Sequence, residues 1–311
     1  MPMGTVEGRT SVDAGQILVP TPLEFAYPEV LTYLSRSSEE CLYRVVGGRV
    51  FRWVHLEGFP ALLEISQAGA EGLQVLVSGS PPESVLQAAA AYVREWFDLD
   101  RDLAGFYGLA KTDPILDRVV RDHYGLRLVG VPDLFEALSW AVIGQQINLG
   151  FAYTLKRRFV EAFGARKQFG REWYWQFPTP SRISELEVRD LRDLQLTLRK
   201  SEYLVGIARA MVAGHLTREQ LLRMDPPTAH QALRRIRGVG EWTASYVAMR
   251  CLFDMSAYPV GDVGLQNAIK SQLGLKTKPR PDELRQLGDR WRGWEAYATF
   301  YLWRSLAGYS A

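Results

Sequence analysis

Only two cysteines occur in the 311 residues, Cys41 and Cys251, and they lie far apart. That leaves no basis for a disulfide framework, a four-cysteine metal site or an iron–sulfur cluster. No apolar run approaches the ~20 residues that a membrane-spanning helix needs, and the opening MPMGTVEGRTSVDAG lacks the basic-then-apolar pattern of a secretory signal. The expectation is a cytoplasmic protein with no membrane partner. Net charge is low as well, +2, so the chain as a whole is no polycation. Repeats, low-complexity tracts and a partner-binding tail are missing too, which points to a monomer without an obligate protein partner.

What is present suffices for a large core. Hydrophobic residues make up 47% of the chain, and the length suggests about two domains. The charge is unevenly spread: from Ser201 onward there are 15 basic and 10 acidic residues, against 22 and 25 before it. The C-terminal part is thus +5 and the rest −3, a modest bias that fits a small phosphate footprint.

Residues 1–16 read as a flexible tail, and residues 17–112 as an α+β domain. Pro28 to Leu34 suggests a short helix. Alternating stretches at Cys41–Val46, Val50–His55, Leu62–Ser66 and Leu73–Val77, parted by Gly47-Gly48 and Gly58-Phe59-Pro60, predict an antiparallel sheet of about four strands. Pro82 to Phe97 then carries Val85, Leu86, Ala89, Val93 and Phe97 on one helical face. From Asp113 to residue 311 the pattern is helix after helix, with Asp, Ser and Pro at the expected starts. Gly164 to Gln176 reads as a surface loop, and Lys156, Arg157 and Arg158 as a solvated basic face, while Arg199-Lys200 is a candidate phosphate contact.

The most informative stretch is LRRIRGVGEWTASYVAMRCLFDMSAYPVGD, Leu233 to Asp262, with a helical hairpin over about 233–252. Gly238 and Gly240 permit left-handed dihedrals and a close approach of the backbone to another molecule. The second glycine opens a helix, so the amides of Val239, Gly240 and Glu241 form an anion site that suits a phosphate. Trp242 and Tyr246, four apart, share one side of that helix. Asp262 follows a Pro/Gly bend and precedes Leu265 and Ile269 at helical spacing, so helix capping alone would account for it.

Taken together, LxxIxGVGxWTA with the downstream PVGDVGL resembles the helix-hairpin-helix DNA glycosylases, in particular the AlkA-like 3-methyladenine DNA glycosylase II branch. RWVHLEGFPALLEIS, FDLDRDL, WAVIGQQIN and FPTP are similar to further family segments. The resemblance implies an α+β N-terminal domain, an antiparallel sheet with helices, followed by an all-α helix-hairpin-helix glycosylase core. It implies Asp262 as the catalytic carboxylate and an aromatic base pocket of Trp242, Tyr246 and Trp303, closed by Leu31 or Tyr33. It makes Gln146 the wedge that fills the gap left by a flipped nucleotide, with Gln145 beside it and Ile147 as a second candidate; related enzymes can carry an apolar wedge there. The hairpin's main-chain carbonyls at Arg234, Ile236 and Val239 would hold Na+ or K+ in the DNA complex, with no other cofactor required.

The implied partner is double-stranded DNA containing damaged bases, and in a prokaryote the location would be the nucleoid. Bifunctional relatives place a nucleophilic lysine two residues after the hairpin's second glycine. Trp242 stands there, so hydrolysis to an abasic site without strand cleavage is expected. The expected substrates are alkylated purines such as 3-methyladenine and 7-methylguanine. Two other classes stay open: a glycosylase for oxidised or mismatched bases, and a non-catalytic hairpin protein in which Asp262 only caps a helix.

Overall fold

The computed structural model describes residues 14–306. Most of the expected tail lies outside these residues, and Ala14 to Gln16 already belong to a strand. Strand β1 (Ala14–Val19) and helix α1 (Tyr27–Leu34) lead into β2 (Tyr43–Val46), β3 (Arg49–Leu56), β4 (Phe59–Gln67) and β5 (Leu73–Ser78). These strands form an antiparallel sheet of order β1-β5-β4-β3-β2. Ala61, Leu63 and Ile65 on β4 and Leu73, Val75 and Val77 on β5 are fully buried at alternate positions, as a half-buried sheet requires. Helix α2 (Glu83–Trp96) covers β1 and β5 with Val85, Ala89, Val93 and Trp96. The alternation thus gave four of the five strands. It missed β1, whose edge position leaves its residues mostly exposed or half-buried.

Short helices α3 (Ala104–Ala110) and α4 (Leu116–Asp122) follow, then α5 (Leu134–Gly144) and α6 (Leu149–Phe163). Next comes a small hairpin of β6 (Arg166–Phe169) and β7 (Glu172–Trp175), where the sequence suggests only a loop. Gly170 turns it with φ 61°, and most of its side chains are exposed, so its apolar alternation is weak. It is nonetheless anchored on the sheet, with Phe169 edge-on to Trp53 and Gln176 hydrogen-bonded to His55 at 2.8 Å. The remaining elements are α7 (Pro180–Ser184), α8 (Val188–Arg192), α9 (Leu198–Val212), α10 (Arg218–Leu222), α11 (Pro226–Arg234), α12 (Glu241–Arg250), α13 (Val263–Gln272), α14 (Pro281–Arg290) and α15 (Glu295–Ser305).

The apolar interior has two parts, and they do not follow chain order. One joins the sheet and α1–α4 to α13–α15 at the far end of the chain; the other is built from α5–α12. Trp303 and Phe177 pack against both. The chain leaves the first core after α4, builds the second, and returns past the hairpin. The segment between α12 and α13, which ends at Asp262, is therefore a seam between them.

Elsewhere, a buried ion network links the sheet domain to α5 and α6. Arg52 on β3 pairs with Glu136 on α5 at 3.0 Å, and Lys156 on α6 pairs with Glu40 at 2.9 Å and approaches Glu136 at 3.7 Å. Burial disfavours the Lys156 ammonium, but Glu40 and Glu136 outweigh it and raise its pKa. Two positive and two negative groups balance, the condition under which buried charges are tolerable. Lys156 is thus no part of a solvated face. Arg157 stays at the surface with Glu161 and Glu39.

Candidate active site at the helical hairpin

Asp262 is the N-cap of α13, its Oδ1 accepting from the Leu265 amide at 2.6 Å. Capping is only part of its role. Trp303 Nε1 donates to the same Oδ1 at 2.8 Å, and Trp242 Nε1 donates to Oδ2 at 2.9 Å. Two indoles from opposite ends of the site thus converge on one carboxylate. Each carboxylate oxygen offers two lone pairs, so Oδ1 is filled while Oδ2 keeps one open among the described residues. Gly264 leaves room for this arrangement: a Cβ there would stand 2.9 Å from Oδ1 and 3.2 Å from the Trp303 ring. The sequence reading did not single out Gly264, although it lies only two residues beyond the aspartate.

The predicted aromatic group assembles around this carboxylate. Trp242 stacks on Tyr246 with centroids 5.6 Å apart and planes 29° apart, and Tyr246 lies 6.3 Å from Trp303. Trp242 and Trp303 are half-buried and Tyr246 is buried, so the two indoles present the accessible surface. Burial raises the Tyr246 phenol to about 12, and it stays neutral at physiological pH.

Behind Tyr246 sits Arg250, a residue the sequence reading passed over. It is buried, donates to the Val129 carbonyl at 2.8 Å and to the Tyr246 hydroxyl at 3.3 Å, and lies 5.4 Å from the Tyr33 ring. Tyr33 therefore belongs to the wall behind Tyr246, its ring tilted against that of Phe300 with centroids 4.7 Å apart. Burial works to raise the Tyr33 phenol, yet Arg250 and Arg36 on its flanks outweigh it and lower its pKa. Leu31, the alternative closing residue, packs half-buried on the first core.

The hairpin turn runs from Arg235 to Gly240. Gly238 adopts φ 92°, and a Cβ there would fall 2.2 Å from Cγ of the Tyr203 ring. Gly240 differs from expectation: its φ is −86°, it serves as the N-cap of α12, and nothing lies within 4 Å of a Cβ built there. Of the three amides expected to face outward, that of Val239 is used within the turn, donating to the Ile236 carbonyl at 3.0 Å. Of the expected anion site, the amides of Gly240 and Glu241 at the positive end of α12 are left as candidates. Arg234, Arg235 and Arg237 surround the turn with exposed guanidinium groups. Arg234 pairs with Glu241 at 3.0 Å and Arg237 with Glu202 at 2.7 Å.

The segment resembling a wedge lies next to this turn. Helix α5 ends at Gly144, Gln145 is its C-cap, and Asn148 caps α6 by accepting from the Phe151 amide at 2.8 Å. Gln146 stands between them, exposed, with φ 55°. A left-handed conformation costs a non-glycine residue about 1 kcal/mol, and here it projects the side chain from the loop. Ile147 is half-buried against the second core. Gln145 turns inward, its Nε2 donating to the Gly238 carbonyl and the Thr243 hydroxyl, both at 3.0 Å. Lys200 is buried too and donates to the Ile143 carbonyl at 2.7 Å, with its pKa lowered by burial. It does not face solvent as a DNA contact would, whereas neighbouring Arg199 is exposed.

Comparison with known proteins agrees with this geometry. Residues 139–293 match the model of the HhH-GPD superfamily of base excision DNA repair proteins, and residues 20–133 match the AlkA N-terminal domain. A DNA-3-methyladenine glycosylase of Bacillus subtilis is 44% identical over 293 residues, covering 93% of this chain and 97% of the relative. DNA-3-methyladenine glycosylase 2 of Escherichia coli is 32% identical over 190 residues, 60% of this chain and 63% of the relative. The solved structure of a 3-methyladenine DNA glycosylase from Archaeoglobus fulgidus superposes with a TM-score of 0.80 at 22% identity, covering 93% of this chain and 97% of that one. With a helical hairpin, a carboxylate held by two indoles and a sheet domain in front, this chain belongs to the HhH-GPD base excision repair superfamily, in its AlkA-like DNA-3-methyladenine glycosylase branch.

Proposed function

We propose that the protein is a monofunctional DNA glycosylase that extrudes alkylated purines from duplex DNA and hydrolyses their N-glycosidic bond. One observation carries this reading: Asp262 is gripped by Trp242 and Trp303 at the edge of the Trp242–Tyr246–Trp303 cluster. An extruded base recovers part of its unstacking cost by lying on aromatic faces. Alkylation at N3 or N7 puts positive charge on the purine ring, and each indole would attract it by about 0.5–2 kcal/mol. The same alkylation weakens the bond to the sugar, so little activation of the leaving group is needed. What the site must supply is negative charge beside the developing oxocarbenium ion. The ionised Asp262 would serve that role through Oδ2, and would orient or deprotonate the attacking water.

The hairpin would seat a DNA phosphate on the Gly240 and Glu241 amides among the flanking arginines, and Gln146 would enter the gap in the stack. The carbonyls of Arg234, Ile236 and Val239 suit a monovalent cation as neutral oxygen donors, and Ile236 keeps a lone pair after accepting from Val239. Such an ion would add positive charge at the phosphate.

Trp242 occupies the position at which a lyase would carry its lysine, so no Schiff base should form. Borohydride added during turnover of a 7-methylguanine duplex should trap no protein–DNA adduct, and the strand should break only after alkali. An adduct, or nicked strands without alkali, would refute the monofunctional reading.

A further inference from the structure

The two elements that would touch DNA, the exposed loop at Gln146 and the hairpin turn, come from chain segments about ninety residues apart, yet one side chain joins them. Nε2 of Gln145 reaches the Gly238 carbonyl within the turn and the Thr243 hydroxyl on α12, each at 3.0 Å. Thr243 is buried and adjoins Trp242, which holds Asp262. A single carboxamide therefore spans from the residue before the exposed loop tip to the helix that bears the catalytic grip.

Helix α9 reinforces both ends of this link from below. Lys200 Nζ fixes the Ile143 carbonyl at the end of α5 at 2.7 Å. One turn further along α9, the Tyr203 ring lies where a side chain at 238 would be, and Glu202 pairs with Arg237 at 2.7 Å. Lys200 has no carboxylate partner among the described residues and donates only to that main-chain oxygen. A buried ammonium spent on a helix-terminal carbonyl fits a role in holding the end of α5 in place. With α9 beneath them, the turn and the loop rest on a common support, and the Gln145 carboxamide is their direct bond.

We infer that Gln145 is a positioning residue that sets Gln146 in register with the hairpin, so that phosphate grip and insertion into the base stack act as one rigid unit. The coupling matters only if the protein extrudes bases as proposed. If the bond were lost, the turn should still hold phosphate, because its amides and arginines do not depend on Gln145. Gln146 would then insert from a loop no longer tied to the grip, and extrusion should suffer instead of affinity.

The test compares the intact protein with Gln145→Ala, Gln145→Glu and Thr243→Val. Gln145→Glu keeps the shape but turns a donor into an acceptor facing the Gly238 carbonyl. Thr243→Val removes one of the two acceptors and preserves the volume. Three quantities are read: affinity for an undamaged duplex, fluorescence of a 2-aminopurine placed beside a 7-methylguanine lesion, and the single-turnover rate of base release at saturating enzyme. Both Gln145 variants should bind undamaged duplex within about twofold of the intact protein. Their extrusion signal and release rate should fall together by about tenfold or more, with Thr243→Val intermediate. The inference is overturned if extrusion and release are unchanged in Gln145→Glu, or if undamaged-duplex affinity drops in step with release, since the bond would then merely shape the hairpin. Failure of the intact protein to release base at all would instead overturn the glycosylase reading.

Discussion

Asp262→Asn should slow single-turnover base release by about a hundredfold or more, the scale seen when one electrostatic stabiliser of a transition state is removed. The structure predicts where the loss falls. Asparagine caps helices about as well as aspartate, so its oxygen can keep the Leu265 amide and the Trp303 indole now bound to Oδ1. Its amide group must then face the Trp242 N–H that now donates to Oδ2. Two donors meet there, and the negative charge is gone. Thermal stability should change by less than about 1 kcal/mol, and duplex affinity should hold or rise, because a negative charge near phosphates has been removed. A large loss of release with intact folding and binding is the signature of a catalytic carboxylate. A variant that unfolds, or that releases base normally, would return Asp262 to the plain role of a helix cap.

Gly238→Ala should be the most damaging single change in the hairpin. At φ 92° any L side chain is strained, by about 1–2 kcal/mol. The new Cβ would also lie 2.2 Å from Cγ of Tyr203, an atom at the root of the ring that cannot swing aside. Moving Tyr203 disturbs α9, so the total cost should reach about 2–4 kcal/mol, with at least a tenfold loss of affinity for damaged and undamaged duplex alike. Gly240→Ala is the control. Its φ is ordinary and no atom stands within 4 Å of the added Cβ, so stability should change by less than about 1 kcal/mol. If Gly240 lies against a phosphate, that variant should nevertheless bind DNA more weakly. Thermal melts and fluorescence anisotropy of the two variants separate the glycine needed by the fold from the glycine needed by the ligand. Equal melting temperatures for both would contradict this division.

Sequence periodicity worked where one face of an element is buried and the other wet. The inner strands and α2 met that condition, whereas β1 at the sheet edge and the exposed β6–β7 hairpin did not. The division into two cores was hidden for another reason. Helices α13–α15 look like any other helices in sequence, and nothing local shows that they pack with the sheet instead of with α5–α12. At the site, the motif residues Asp262, Trp242, Tyr246 and Trp303 were legible and do converge. Their hydrogen bonds were not, since they join positions 20 and 41 residues apart. The supporting residues Gln145, Lys200, Tyr203 and Arg250 left weaker traces. A buried lysine or arginine reads in sequence as an ordinary surface charge, as happened for Lys156 and Lys200. The two hairpin glycines looked equivalent on paper, and only the backbone angles show that Gly238 alone needs the left-handed region.

The central claim, that an aromatic cup and one carboxylate make this protein an excision enzyme for alkylated purines, is tested most directly by the identity of the bases it frees. Matched duplexes carrying 3-methyladenine, 7-methylguanine or 8-oxoguanine are incubated with the intact protein in excess, and the free bases are separated and quantified over time. The Trp242–Tyr246–Trp303 cluster and Asp262 predict that both methylpurines appear as free bases while 8-oxoguanine stays in the strand. Release of 8-oxoguanine ahead of the methylpurines, or binding with no base released from any duplex, would contradict it.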